Sequence, residues 1–401
     1  MPGLKPKTLV ALCFSLAMAA SAGERRELKI SVENIMASVE TLSGDAMKGR
    51  LPLSEEQALA RDWLVQQLKS RGWEPAGSEP ESYLQPFSGG INLVAVRQPK
   101  QEAGNAPVVL LSAHYDHLGT SCNPHPKASS EVCNGAADNA ASVAALLEVA
   151  DAVSDDIEAP VALAFWDCEE HGFLGSRHFA ANPSFDTGSL KLIINLDILG
   201  LNLFKGMENA HFAIGAETGG APLLQKILEL AQSESLDIFP LSFVFGYYRN
   251  DLTSFHNAGY RIPMVLFSDG DGSVYHSTAD EATHINGGKA AAVARLAAQL
   301  TVEASSPDTV FDRQSPGIQN GQPLPGFEDA STLLRLVERL LAKSSENGLD
   351  PSQQERLKTF ASQLRNVIEA GPAAFGMEGM ALVGELGKTI GQYSRSLSFI
   401  P

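Results

Sequence analysis

His114, Asp116, Asp138, Glu169, Glu170, Asp197 and His276 occur in an order, and in kinds of local sequence, from which a protein can build a two-zinc hydrolytic centre. Imidazoles and carboxylates crowded together are costly unless metal or protons neutralise them. In His114-Tyr115-Asp116 an imidazole can reach a metal while the nearby carboxylate orients it. Asp138 lies in the turn Asn134-Gly135-Ala136-Ala137-Asp138-Asn139, which leads into an alanine-rich helix. Its two oxygens could bridge two cations about 3.5 to 4 Å apart; taken alone, the residue reads more simply as the cap of that helix. Glu169 and Glu170 are adjacent, so their side chains diverge, and one can bind metal while the other faces an attacking water as general base. Asp197 ends Ile194-Asn195-Leu196-Asp197, where an uncompensated buried charge would be expensive. His276 lies in Tyr275-His276-Ser277-Thr278-Ala279-Asp280. Singly each could be bland, but together they complete two metal environments.

The elements that must position these groups are legible as a pattern. Apolar, β-branched runs at 92–96, 108–113, 161–166, 192–196, 211–214 and 263–267 alternate with helical stretches around 58–71, 140–153, 221–233 and 288–303. Strands that are apolar throughout, separated by helices, predict an α/β fold with a largely parallel sheet covered on both faces. In such sheets ligand groups collect beyond the carboxyl ends of the strands. Three runs end that way: His114 and Asp116 follow 108–113, Glu169 and Glu170 follow 161–166, and Asp197 follows 192–196.

Beyond residue 304 the character changes. Residues 305–325 are rich in Pro, Gly, Ser and Gln and read as a linker. Residues 326–401 read as a helical appendage, with apolar spacings of three and four at Leu333, Leu334, Val337, Leu340 and Leu341 and again at Leu357, Phe360, Leu364, Val367 and Ile368. Asp350-Pro351 supplies a cap and first-turn proline, and Gly371-Pro372 a stop; a third stretch, 377–393, is interrupted by glycines. The apolar faces of this tail are expected to pack internally, with self-association or docking as the sharper alternative.

At the other end, Lys5 and Lys7, the apolar run 9–18 and Ala20-Ser21-Ala22 have the layout of a secretory signal over residues 1–22. The expected mature product, with the candidate metal residues in one body over 23–304, is exported to the periplasm or the medium. No later run approaches the roughly 20 apolar residues of a membrane span. Residues 1–22 carry two lysines and no acid, so the formal charge of -17 becomes -19 without them, which argues against nucleic acid as a partner. Cys122 and Cys133 flank a loop rich in Pro, Ser, Asn and Lys, the setting of a disulfide in an oxidising compartment. Cys168 is expected to be a buried packing residue rather than a nucleophile.

The segments Ser112 to His117, Gly135 to Ala140, Cys168 to Gly172, Asn195 to Asp197 and Tyr275 to Asp280 resemble the M28 family of zinc aminopeptidases, and Gly44-Asp45-Ala46-Met47-Lys48-Gly49-Arg50 is similar to that family's N-terminal region. The resemblance spans roughly residues 30 to 304. It implies a mixed, mostly parallel sheet sandwiched between helices and two zinc ions. By the same resemblance Asp138 bridges them, His114 and Asp197 complete one site, and Glu170 and His276 complete the other. Glu169 is the implied general base and Asp116 the support of His114. Many relatives carry Ser-Asp-His where this chain has Asn250-Asp251-Leu252, which puts substrate contacts in doubt; a hydroxyl of Tyr247 or Tyr248 could stabilise an oxyanion there, or both could pack at the sheet edge. His117, His171 and His256 are expected to make local hydrogen bonds and are given no metal role. The function so implied is an exported zinc-dependent aminopeptidase acting on peptides with a free N-terminus. The alternatives are a glutaminyl cyclase or carboxypeptidase-like relative of the same fold, or a catalytically silent binding protein.

Overall fold

A computed structural model describes residues 28–126, 128, 130–319 and 321–397. The signal sequence expected at 1–22 lies outside the described residues. Nine strands form one sheet: β1 (Glu74–Pro75), β2 (Leu84–Phe87), β3 (Gly90–Arg97), β4 (Val109–His114), β5 (Val161–Trp166), β6 (Leu192–Leu196), β7 (Ala210–Ile214), β8 (Asp237–Leu241) and β9 (Met264–Ser268). Their order is β1-β3-β5-β4-β6-β9-β7-β8, with β2 also paired to β3. The centre, β5-β4-β6-β9, is parallel throughout. β3 runs antiparallel to β5, and β7 antiparallel to β9, so the whole sheet is mixed.

All six expected strands are present within two residues of their predicted limits. β8 was missed for a physical reason: Pro240 cannot donate to a ladder, which argues against a strand except at a sheet edge, and β8 is the edge.

Among the described residues ten α-helices cover the sheet: α1 (Val32–Leu42), α2 (Glu55–Ser70), α3 (Ala141–Val153), α4 (Leu174–Ala181), α5 (Gly220–Ser233), α6 (Leu252–Asn257), α7 (Gly287–Ser305), α8 (Glu328–Ala342), α9 (Pro351–Ala370) and α10 (Gly376–Leu397). Side chains alternate across each strand. On β4, Val109, Leu111 and Ala113 join the core formed with α1, α2, α3, α5 and α7, whereas Leu110 joins the opposite core with α4, α6 and α8 to α10. α9 starts as its sequence foretold, with a capping box between Asp350 and Gln353 and Pro351 in the first turn. Within 305–325, β10 (Ile318–Gln319) and β11 (Gln322–Pro323) form a small antiparallel pair. Asp312 and Gln314 bind the body through backbone hydrogen bonds to Gly219 and Thr218. Among the described residues no helix is long and apolar enough to cross a membrane.

This topology decides where polar groups gather. β4 lies between β5 and β6, so the chain leaves β4 for one side of the sheet and then returns to the other. The carboxyl ends of three neighbouring parallel strands therefore open into one crevice, where such folds bind ligands.

Candidate metal centre

His114 is the last residue of β4, Glu169 and Glu170 follow β5 by three and four residues, and Asp197 follows β6 directly. Three non-glycine residues at this crevice hold positive φ: Cys168 (57°) just before Glu169, Ile198 (58°) just after Asp197, and His276 itself (50°). Each such residue costs about 1–3 kcal/mol, and strain of this kind clusters at functional sites.

Asp138 is the hub. Its backbone is not helical, and the position before α3 is held by Ala140 without a side-chain cap, so Asp138 does not cap that helix. Instead its Oδ1 lies 3.1 Å from Nε2 of His114, and its Oδ2 lies 3.2 Å from Nε2 of His276. The peptide bond between Asp138 and Asn139 is cis. The buried carboxylate of Asp280 holds this turn by accepting from the backbone N–H groups of Ala137 (2.8 Å) and Asp138 (3.0 Å). Asn139 grips the end of β6 on either side of Asp197, donating to the Leu196 carbonyl and accepting from the Ile198 N–H.

The remaining candidates converge on this hub. Nε2 of His114 is 3.4 Å from Asp197, and Nε2 of His276 is 2.9 Å from Glu170. Asp116 is fully buried and does two things at once: one oxygen lies 3.5 Å from Nδ1 of His114, and its carboxylate accepts from the N–H groups of Glu169 and Glu170. Thus seven of the eight site residues expected from sequence are gathered. Tyr247 is the eighth, and its contacts lie elsewhere: its hydroxyl donates to Asn257 (2.8 Å), and its ring packs against Tyr248, Phe243 and His256.

Two residues named in the sequence gain a significance here that sequence reasoning did not give them. Nδ1 of His117 lies 2.8 Å from Glu170, as a local hydrogen bond would place it, yet His117 also stands with Asp138 and Glu170 as a group able to hold a metal. Nothing in its spacing distinguishes it from an ordinary loop histidine. Asp251 is fully buried. Burial pushes its carboxyl up to about 7, with Asp197 and Asp116 adding to the shift and His114 opposing it. Its place ahead of the mixed segment Leu252–Asn257 carried no distinguishing signal.

The donor set suits a hard to borderline divalent cation. His114, Asp138 and Asp197 form one group whose ligand atoms all lie within 4.8 Å of one another, and His117, Asp138 and Glu170 form a second. Without a cation the electrostatics are frustrated. Burial would lower His114, but Glu169, Asp116, Asp138 and Asp197 outweigh it and hold the imidazole well above its usual value. Burial raises Asp197 to about 6 despite His114. It also raises Glu169 well above the carboxylate range, with Asp197, Asp251 and Glu170 adding to the effect against His114. Nε2 of the fully buried His117 has no hydrogen-bond partner. Cys168 is buried as expected: its thiol donates to the Gly89 carbonyl, and burial raises its pKa, which disfavours the thiolate.

Comparison with known proteins bears on the fold and the family. The family model for peptidase family M28 matches residues 92–301. A Zn-dependent exopeptidase from Parabacteroides distasonis superposes with a TM-score of 0.55 at 19% identity, over 69% of this chain and 99% of that one. The zinc aminopeptidase BSAP from Bacillus subtilis gives 0.56 at 14% identity, over 73% and 98%. A glutaminyl cyclase from Porphyromonas gingivalis gives 0.53 at 19% identity, over 68% and 98%. At these identities the likeness is one of fold. No curated protein sequence matches the chain.

Proposed function

The chain belongs to peptidase family M28, and from that premise we propose that it is a two-zinc aminopeptidase releasing N-terminal residues from peptides. The observation that carries this reading is the disposition of Asp138, which offers one oxygen toward His114 and the other toward His276. His114, Asp138 and Asp197 would hold one zinc, and Asp138, Glu170 and His276 the other. Bound zinc supplies an acidified water and polarisation of the scissile carbonyl.

The chain's own residues do the rest. Glu169 takes the proton from the attacking water and delivers it to the departing amine. Asp116 fixes the orientation of His114 and, through its hold on the backbone of Glu169 and Glu170, the spacing between base and ligand. The carboxylate-rich crevice attracts the substrate's α-ammonium group, which restricts cleavage to the first peptide bond. Tyr247 is the candidate oxyanion donor, through a hydroxyl that must turn from Asn257 to act. The bond between Cys122 and Cys133 supports placement of the enzyme in an oxidising, exported compartment.

A mixed peptide library, offered with free and with acetylated N-termini and read by mass spectrometry, tests the reading. Stepwise, chelator-sensitive shortening of the free-amine peptides alone is expected. Loss of ammonia from N-terminal glutamine without shortening would make the protein a cyclase, and no product from zinc-loaded protein would make it a binding protein.

A further inference from the structure

Asp197 and Ile198 form one end of a cavity of about 500 Å³ whose far wall is α10, a helix outside the segment matched by the family model. The volume falls within the ~300–1,000 Å³ typical of small-molecule sites. Phe212, Ile214 and Leu266 from the sheet and Leu333 and Leu336 from α8 give it apolar sides, while Arg249, Asp271, Lys388 and Arg395 add charged groups to the lining. α10 faces the space with Gly384, Gly387 and Gly391, which recur at helical spacing on one side.

These glycines are not equivalent. A Cβ at Gly387 would come within 2.4 Å of the Phe245 ring, so glycine there lets the helix lie against that ring. At Gly384 and Gly391 an added Cβ meets nothing within 4 Å. Glycine inside a helix costs about 1 kcal/mol relative to alanine, and no neighbour demands it at those two positions. What the missing side chains leave is room in the cavity. The C-terminal end of α10 is also tied to the mouth. Arg395 pairs with Asp271 at 2.8 Å, and Arg249 pairs with the same carboxylate oxygen.

We infer that α10 is a wall of the substrate pocket, and that Gly384 and Gly391 set a depth that admits a large apolar N-terminal side chain such as leucine or phenylalanine. The identity of the occupant rests on the aminopeptidase reading; the wall itself rests on the cavity. Gly384→Leu and Gly391→Leu test it, with Gly391→Ala as a milder step. Each replaces glycine by a better helix former, so folded protein is expected from all three.

For peptides beginning with leucine or phenylalanine, kcat/KM should fall about tenfold or more in the leucine variants, while peptides beginning with alanine are cleaved as before. A second measurement needs no hydrolysis. Calorimetric binding of hexylamine, an apolar chain with an amine, should be saturable in the unaltered protein, weaker in Gly391→Ala and lost in the leucine variants. Equal side-chain preference in all proteins, or hexylamine binding that is absent from the unaltered chain or unchanged by the substitutions, overturns the inference. Absence of peptide cleavage with graded loss of hexylamine overturns the aminopeptidase reading and leaves the wall standing.

Discussion

Replacing Arg50 by methionine should loosen the metal centre without altering any group in it. The guanidinium is buried and donates from Nε to the Tyr115 carbonyl (2.9 Å), from Nη1 to those of Leu42 (2.5 Å) and Asn134 (2.8 Å), and from Nη2 to that of Gly135 (2.9 Å). Tyr115 stands between His114 and Asp116, and Asn134-Gly135 opens the turn that carries Asp138, so one side chain joins the two loops. Burial lowers Arg50 to about 10 against the pull of Asp280, Asp116, Asp138 and Glu170, which keeps it charged at neutral pH and opposed to the acidic cluster. Methionine retains much of the apolar stem but strands three carbonyls, those of Leu42, Tyr115 and Asn134, while that of Gly135 keeps the N–H of Ala140. At ~1–3 kcal/mol for each unsatisfied group, simple addition would exceed what single substitutions do, and neighbouring effects do not add. We therefore expect a loss of about 4–5 kcal/mol. Zinc affinity should fall ~10–100-fold, as when the partners that orient metal ligands are removed. Melting of the metal-free protein and competition with a chelator measure the two effects separately. If the metal-free variant loses less than about 1 kcal/mol and zinc binds as before, Arg50 is not what holds these loops in place.

Three further perturbations reach other parts of the molecule. Glu169→Gln should lower kcat by about 10²–10⁴ while zinc content stays unchanged, measured by peptide hydrolysis alongside metal analysis; near-normal turnover would remove Glu169 from its role. Replacing Cys122 and Cys133 together by serine opens a loop whose closure is worth about 3 kcal/mol. Because Asn123 bonds the backbone of His276 and Thr278, this variant should both melt earlier and bind zinc less tightly. Lys289→Met leaves Asp269 buried without its cation, 2.6 Å away, and should cost about 3–5 kcal/mol in denaturant unfolding. In the metal-free protein the raised groups of the crevice gain stability on acidification, so the contribution of His211 and Asp269 is read as the difference between the unaltered chain and His211→Asn, which should shrink on acidification from about pH 6.5. Burial holds His211 below its free value, so the unfolded chain takes up that proton first. The burial that would raise Asp269 is outweighed by Lys289 and His211, so its contribution is lost as pH falls through its depressed value. A difference between the two proteins that stays flat between about pH 7 and 4 would contradict both assignments.

What could be seen in the sequence followed from how strongly each residue is constrained by its neighbours in the chain. The central strands are legible because β4, β5, β6 and β9 are buried on both faces and so are apolar at most positions, with the buried Ser112 and Asn195 satisfying each other. His114, Glu169, Glu170 and Asp197 are legible for the complementary reason, since a polar residue after such a run marks a strand end facing a crevice. Edge strands carry weaker signals, and Pro240 actively concealed β8. His117 and Asp251 stayed hidden because their significance is wholly tertiary. One lies on a loop and the other before a six-residue helix, and only the convergence of β4, β5 and β6 brings either near the carboxylates.

The C-terminal helices show the same limit from another side. Their apolar periodicity predicted helices but could not say what those helices cover. The covered surface is the sheet face around Phe239, Leu241 and Leu266, together with the short helices α4 and α6. α8 meets the edge strand with polar as well as apolar groups. Arg335 lies 3.2 Å from Asp237 with its guanidinium 4.1 Å from the centre of the Phe239 ring, and Asp329 accepts from both the N–H and the hydroxyl of Ser242. Left open, that face would expose a contiguous apolar surface of the kind that drives association. Covering it with helices that touch at Phe245 but stand back at Gly384 and Gly391 encloses a cavity reaching Asp197. The same packing that completes the core thereby gives the tail a place beside the metal centre.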